Sequence, residues 1–234
     1  MGKLLQMFEQ REHPLLQVAL DFTNIEKAIR VMSALRDLPI PIVEIGTPLI
    51  KAEGIRSIAI IKALASDDTL ILADMKTADV GALETSMAAL HGADIVTVLA
   101  SSDDAVIEAA VTEGRKLGVD IIADTIGLQP DVIPQRVKEL HKLGVNVVNI
   151  HSGIDVQRRL GIRATSFQDL ACKVKSYLSD VIISISGGIK PEDIKKFAEA
   201  CIDIVVIGSA ITKAPDPRGA AIRALDALSR IIRK

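Results

Sequence analysis

Aromatic side chains are almost missing from this 234-residue chain: four Phe, one Tyr and no Trp. That scarcity removes the stacking surfaces on which nucleic-acid bases are bound without sequence preference. No sign of charge dominates either, since 28 Lys and Arg stand against 30 Asp and Glu. A basic face for nucleic acid and a charged disordered tail are both disfavoured. No apolar run reaches the roughly 18 residues of a membrane span. The start, MGKLLQMFEQREHP, is a poor secretory signal because charges interrupt its apolar stretch. Only two cysteines occur, Cys172 and Cys201, without metal-like spacing. They are expected to be buried reduced thiols, and the chain to be cytoplasmic.

What the chain does contain is apolar residues, 49% of the total, arranged in a rhythm. Short runs rich in Ile and Val recur at 15–21, 41–47, 70–76, 94–100, 120–126, 145–151, 181–188 and 202–210. Near-continuous apolar runs are what parallel strands covered on both faces require. Helical patterns lie between them. In 24–38 the apolar residues Ile25, Ala28, Ile29, Met32 and Leu35 recur at helical spacing, and 103–117, 130–143 and 217–232 behave alike. Lys-Leu-Gly at 116–118 and 142–144 reads as helix ends, and Pro191 followed by two acids as a helix start.

Eight such units in a length near the usual ~250 residues point to a (β/α)8 TIM barrel spanning 15–234, after an N-terminal extension, 1–14. An open doubly wound sheet is the alternative, but no G-x-G-x-x-G follows the first strand.

Side chains on a barrel strand alternate between interior and helix layer. One face of each strand then reads Gln17-Ala19-Asp21, Ile42-Glu44-Gly46, Leu72-Asp74-Lys76, Ile122-Asp124-Ile126 and Val147-Asn149-His151. Asp21, Glu44, Asp74, Lys76, Asp124 and His151 fall near the C-terminal ends, where barrels place their chemistry. A structural ion-pair network at the mouth is the bland alternative. Isolated buried charge costs several kcal/mol, so these groups need partners.

Asp79, three residues beyond Lys76, can approach the same mouth, reach a neighbouring subunit, or cap the following helix. Glu44 and Asp74, on neighbouring strands, suit a hard cation such as Mg²⁺, which takes one or two carboxylates and fills its remaining positions with water and substrate oxygens. SGGI (186–189) and IGSAI (207–211) carry no acids. Gly187, Gly188, Gly208 and Ser209 are therefore candidates to bind phosphate through backbone N–H groups, as the loops after strands seven and eight commonly do. His13, His91 and His141, with Glu53 and Glu84, are given ordinary structural or solvated roles.

D-x-K-x-x-D at 74–79, together with LQVALD (16–21), EIGTPLIKAEG (44–54), GADIVTVLA (92–100), HSGIDVQ (151–157), SGGI and IGSAITKAPDP (207–217), resembles the orotidine 5′-phosphate decarboxylase suprafamily. The similarity runs over about 15–225. It is closer to the magnesium-dependent branch that contains the hexulose phosphate synthases and the keto-gulonate phosphate decarboxylases. Asp124 stands where the decarboxylases usually carry Glu, and Ile154 where they carry Arg, so the resemblance favours the synthase forms.

It implies an Mg²⁺-dependent condensation of formaldehyde with D-ribulose 5-phosphate, through an enediolate, in a homodimer with shared active sites. Asp21, Lys76, Asp79, Asp124 and His151 would be catalytic, with Asp79 entering the neighbouring subunit's site and His151 moving protons. Glu44 and Asp74 would hold the metal, and Gly187, Gly188, Gly208 and Ser209 the phosphate. Some relatives have Arg at the position of Ser209. The rivals are the two decarboxylases and a non-catalytic sugar-phosphate-binding barrel.

Overall fold

In a computed structural model, eight parallel strands close into a barrel in the order β1 to β8. They are β1 (Leu15–Leu20), β2 (Ile42–Ile45), β3 (Leu70–Thr77), β4 (Ile95–Leu99), β5 (Asp120–Asp124), β6 (Val147–His151), β7 (Ile182–Ser186) and β8 (Ile204–Ile207). The helices are α1 (Lys3–Glu9), α2 (Ile25–Leu35), α3 (Thr47–Glu53), α4 (Arg56–Lys62), α5 (Gly81–Leu90) and α6 (Asp104–Leu117), then α7 (Ile133–Lys142), α8 (Ile154–Leu160), α9 (Gln168–Tyr177), α10 (Ser209–Thr212) and α11 (Pro217–Leu228). Residues 2–10, 12–197 and 201–232 are described. Met1 and Arg11 of the expected extension, and 198–200 and 233–234 of the expected barrel segment, lie outside the described residues.

The barrel excludes the open sheet: β1 pairs with β2 on one side and β8 on the other, Leu16 lying opposite Val205 and Ala19 opposite Glu44. Period-two alternation divides the apolar residues. Leu16, Val18 and Leu20 face the helices, within the large layer between barrel and outer ring. Leu15, Ile42, Leu72, Ile95, Ile122 and Ile204 point inward and fill the lower barrel. Leu4 and Phe8 of α1 join that inner layer, so α1 plugs the N-terminal end.

Strand-start acids fasten the plug: Asp120 accepts from the Leu4 N–H at 2.8 Å, and Asp94 pairs with Lys3 at 2.5 Å and Lys62 at 3.1 Å. Above the apolar layer the interior turns polar, with Gln17, Glu44, Asp74, Thr97, Asn149 and Ser184 all buried.

Helix ends follow local chemistry. Asn24 and Asp103 accept from backbone N–H groups at the starts of α2 and α6, and Gly118 caps α6 in the left-handed conformation. Pro191 opens a 3-10 helix, Pro191–Phe197, rather than the α-helix expected.

One expectation is corrected. Cys172 and Cys201 are not separate reduced thiols but are joined as a disulfide, with Cα atoms 4.8 Å apart. The pair is 29 residues apart in sequence, and only the return of the chain to β8 brings Cys201 to α9.

Candidate active site

A cavity of about 760 Å³ opens at the C-terminal end of the barrel. Asp21, Glu44, Asp74, Lys76 and His151 line it, as do Gly187, Gly188, Gly208 and Ser209. Residues chosen from separate strands thus converge. A second cavity, about 250 Å³ beside α1, has Arg115 and Asp120 in its wall and none of this set.

The core of the site is the end of β3. Two residues apart on a regular strand span about 7 Å, too far for a direct side-chain pair at one level. Here β3 slips register against β4 between Ala73 and Thr77, and Lys76 takes a positive φ of 49°. A non-glycine residue in that region is strained. The kink folds the Lys76 ammonium back onto Asp74 Oδ2, within reach of Thr47 Oγ1 (3.2 Å) and Asp124 Oδ2 (3.7 Å). Thr97 supports both members of the pair: its hydroxyl donates to Asp74 Oδ1 at 2.8 Å and accepts from the Lys76 N–H at 2.9 Å.

The electrostatics follow. Burial alone would drive the Asp74 carboxyl up, but the Lys76 charge and the hydrogen bonds from Lys76, Thr47 and Thr97 hold it below its ordinary value. Burial likewise opposes the Lys76 ammonium, and Asp74 and Asp124 outweigh it, so that the ammonium is held up. Glu44 has no such cation of its own. Burial, then the charges of Asp74 and Asp21, push it well above the usual carboxylate range, although Gln17 Nε2 donates to its Oε2 at 2.6 Å. Asp21, at the rim, is raised by desolvation within the mouth and by Asp74. Its carboxylate lies against Gly46, where any Cβ would collide with it.

His151 is oriented by Asp124, with Nδ1 2.8 Å from Oδ2 and 3.1 Å from Oδ1. Asp124 is buried behind Lys76 and His151 and does not itself line the cavity. It accepts from the Ile126 N–H at 2.8 Å and faces the Asn149 amide at 3.4 Å. A carboxylate on Nδ1–H leaves Nε2 as the basic nitrogen.

Gly187 and Gly188 have φ of 120° and 70°, values that side chains rarely adopt. Ser152 O and the Gln157 side chain occupy the space a Cβ would need.

Asp79 is exposed and does not line the cavity of its own chain, and the residue capping α5 is Val80. Among the described residues no three His, Cys, Asp or Glu side chains form a metal cage. Sequence reasoning passed over Thr47, Thr97, Ser184, Arg158 and Lys213 as wall residues. Thr97 and Ser184 were findable, being polar on inward faces. Lys213 had only its four-residue spacing from Ser209.

Fold and site together define a (β/α)8 barrel that gathers carboxylates, a lysine and a histidine at the mouth, opposite a glycine-lined rim. The chain belongs to the orotidine 5′-phosphate decarboxylase / HUMPS family, whose sequence model matches residues 14–224. It is 36% identical over 213 residues to 3-hexulose-6-phosphate synthase 3 of Staphylococcus saprophyticus, covering 91% of this chain and 98% of that one. A crystal structure of 3-hexulose-6-phosphate synthase superposes with a TM-score of 0.84 at 35% identity, over 92% of this chain and 99% of the other. KGPDC from Streptococcus mutans, solved in complex with a sugar phosphate, shares the fold, with a TM-score of 0.85 at 24% identity over 93% and 98% of the two chains.

Proposed function

We propose that this protein is a 3-hexulose-6-phosphate synthase, joining formaldehyde to D-ribulose 5-phosphate to give D-arabino-hex-3-ulose 6-phosphate, and reversing that reaction. The observation that carries the reading is one cavity holding the Asp74–Lys76 pair, Glu44 and the Asp124-oriented His151 beneath a glycine rim. Relatives of this name at 36% identity along nearly the whole chain support it.

The residues fit a divalent cation. Asp21, Glu44 and Asp74 face the same space with Lys76 as their close cation, and the upward push on Glu44 reflects a shortage of positive charge there. Their hard oxygens suit Mg²⁺, which Glu44 and Asp74 would hold. When bound, it supplies Lewis acidity toward the oxygens of the ketose.

The chain's own groups do the rest. Backbone N–H groups around Gly187, Gly188, Gly208 and Ser209 hold the phosphate and thereby place the ketone end over the acids. His151 Nε2 takes the proton from the hydroxymethyl carbon beside the ketone, while Asp124 holds the ring and balances the imidazolium. The Lys76 ammonium donates to the enediolate oxygen, and Asp74 keeps it charged and aimed. The carbon nucleophile adds to formaldehyde, a carbon–carbon bond forms, and the carbonyl electron pair moves to oxygen, which is then protonated.

Asp79 stands beside an exposed apolar stripe on α5: Val80, Leu83, Met87 and Leu90, the last 82% exposed. In our reading this stripe packs against a second copy and delivers Asp79 to that copy's mouth. Phosphorylated sugars do not cross membranes unaided, and a cytoplasmic location goes with the reading. No described helix is long and apolar enough to cross a membrane.

The test is loss of formaldehyde in the presence of D-ribulose 5-phosphate. Uptake is expected with Mg²⁺, abolition with chelator, and recovery on adding Mg²⁺ back. Undiminished uptake in chelator, or none with Mg²⁺, sinks the proposal. Release of CO₂ from 3-keto-L-gulonate 6-phosphate instead would assign the decarboxylase.

A further inference from the structure

The floor of the cavity holds three polar side chains that the mechanism above does not use as reacting groups: Gln17 on β1, Asn149 on β6 and Ser184 on β7. They are 4%, 8% and 1% exposed. Each has one buried atom without a partner: Gln17 Oε1, Asn149 Oδ1 and Ser184 Oγ. Buried polar atoms are almost always satisfied, and leaving one orphaned costs about 1–3 kcal/mol.

The amide directions are set by neighbours. Gln17 donates its NH₂ to Glu44, and Asn149 donates its NH₂ to Ser186 Oγ at 2.9 Å and toward Asp124. What is left is two carbonyl acceptors and a hydroxyl, the complement of a ligand that brings O–H donors.

We propose that Gln17, Asn149 and Ser184 form a hydroxyl-binding subsite that takes the terminal hydroxymethyl group of the six-carbon ketose phosphate, the group contributed by the one-carbon aldehyde. The identity of the ligand rests on the proposed function. Its placement follows from the strand geometry. Ser184 lies three residues below Gly187 on β7, a drop of about 10 Å, so a ligand whose phosphate is held at the glycine rim directs its far end to this floor. Ala19 and Val206 also face the cavity and leave room between β1 and β7. Condensation turns a carbonyl oxygen without hydrogen into a hydroxyl, and the floor's acceptors favour the second over the first.

Ser184 is the clean probe, because it touches none of the acids, whereas Gln17 and Asn149 do. The test is calorimetric binding, to the Mg²⁺-supplied protein, of a hexitol 6-phosphate and of the pentitol 5-phosphate one hydroxymethyl group shorter. Wild type is expected to bind the longer compound roughly fivefold to tenfold more tightly, the worth of one buried hydrogen bond. Ser184→Ala and the near-isosteric Ser184→Cys are expected to bring the ratio close to one while leaving pentitol binding unchanged, with the Cys variant checking that the fold survives. Equal binding by wild type, or a ratio that survives both substitutions, overturns the subsite and assigns the floor to ordered water. Failure of the synthase reading shows separately, as no formaldehyde uptake by a wild type that still discriminates the two polyols. Binding of neither compound overturns both.

Discussion

Asp74 and Glu44 are both buried carboxylates in one cavity, yet their titration is pushed in opposite directions. The difference is Lys76, which the β3 kink gives to Asp74 alone. Asp74→Asn keeps shape and hydrogen-bonding capacity but leaves Lys76 without its main counter-ion. We expect kcat to fall by roughly 10²–10³, with circular dichroism unchanged. His151→Gln removes the base and should cost about 10²–10⁴ in kcat with a smaller change in KM; steady-state kinetics with ribulose 5-phosphate reads both.

Glu44 makes a pH prediction. Its folded value is raised, so the metal-free protein keeps this proton at pH values above roughly 4.3, where a free glutamate has lost it. The folded state then binds more protons than the unfolded one, and the metal-free form loses stability as pH climbs from the ordinary value through the raised one. A cation binding there must expel the proton. Titrating Mg²⁺ in buffers of different ionisation enthalpy should therefore show proton release that fades as pH rises, and weaker binding in acid.

Among the elements, β3 and α1 contribute most that is particular to this chain. A regular β3 would hold Asp74 and Lys76 one above the other, and the slip at its end makes them a pair. Helix α1 closes the opposite end through Leu4, fully buried, and Phe8. Leu4→Ala should destabilise the fold by about 2–5 kcal/mol in urea unfolding, with the distant mouth chemically intact.

Asp94 carries the polar part of the same contact. Burial opposes its ionisation, but hydrogen bonds from Lys3, the Ile71 N–H and Lys62 prevail and lower its folded value. Its stabilisation is present above the unfolded value near 3.9 and is lost as pH falls through the folded one. Asp94→Asn should thus melt lower than wild type at neutral pH, and the gap should close in acid.

At the scale of the whole molecule, an exposed stripe on α5 and an acid that turns away from its own cavity belong together. Leu83→Glu with Leu90→Glu should leave a monomer by light scattering, with activity lost although the cavity residues are untouched. Shared sites make a sharper expectation. Asp74→Asn and Asp79→Asn subunits, inactive apart, should regain about a quarter of wild-type activity when unfolded and refolded together. Half the dimers are mixed, and each mixed dimer holds one intact site. No recovery on mixing would confine catalysis to a single chain.

Much of this was legible in the chain itself. Parallel strands covered on both faces must be almost wholly apolar, so β1 to β8 showed as Ile- and Val-rich runs. A period of two then sorted their residues into an outer and an inner set. Asp21, Glu44, Asp74 and His151 could be assigned to one mouth by counting alone, because inward polar residues at strand ends have nowhere else to go. Properties that depend on distances between strands were not legible. These include the slip that folds Lys76 onto Asp74, the seat of His151 on Asp124, the orphaned polar atoms of the floor, the outward turn of Asp79 and the joining of Cys172 to Cys201. Alternation along a strand is local geometry that every residue obeys. Register, kinks and contacts across the barrel are set by packing all eight strands at once, and no single stretch of sequence encodes them.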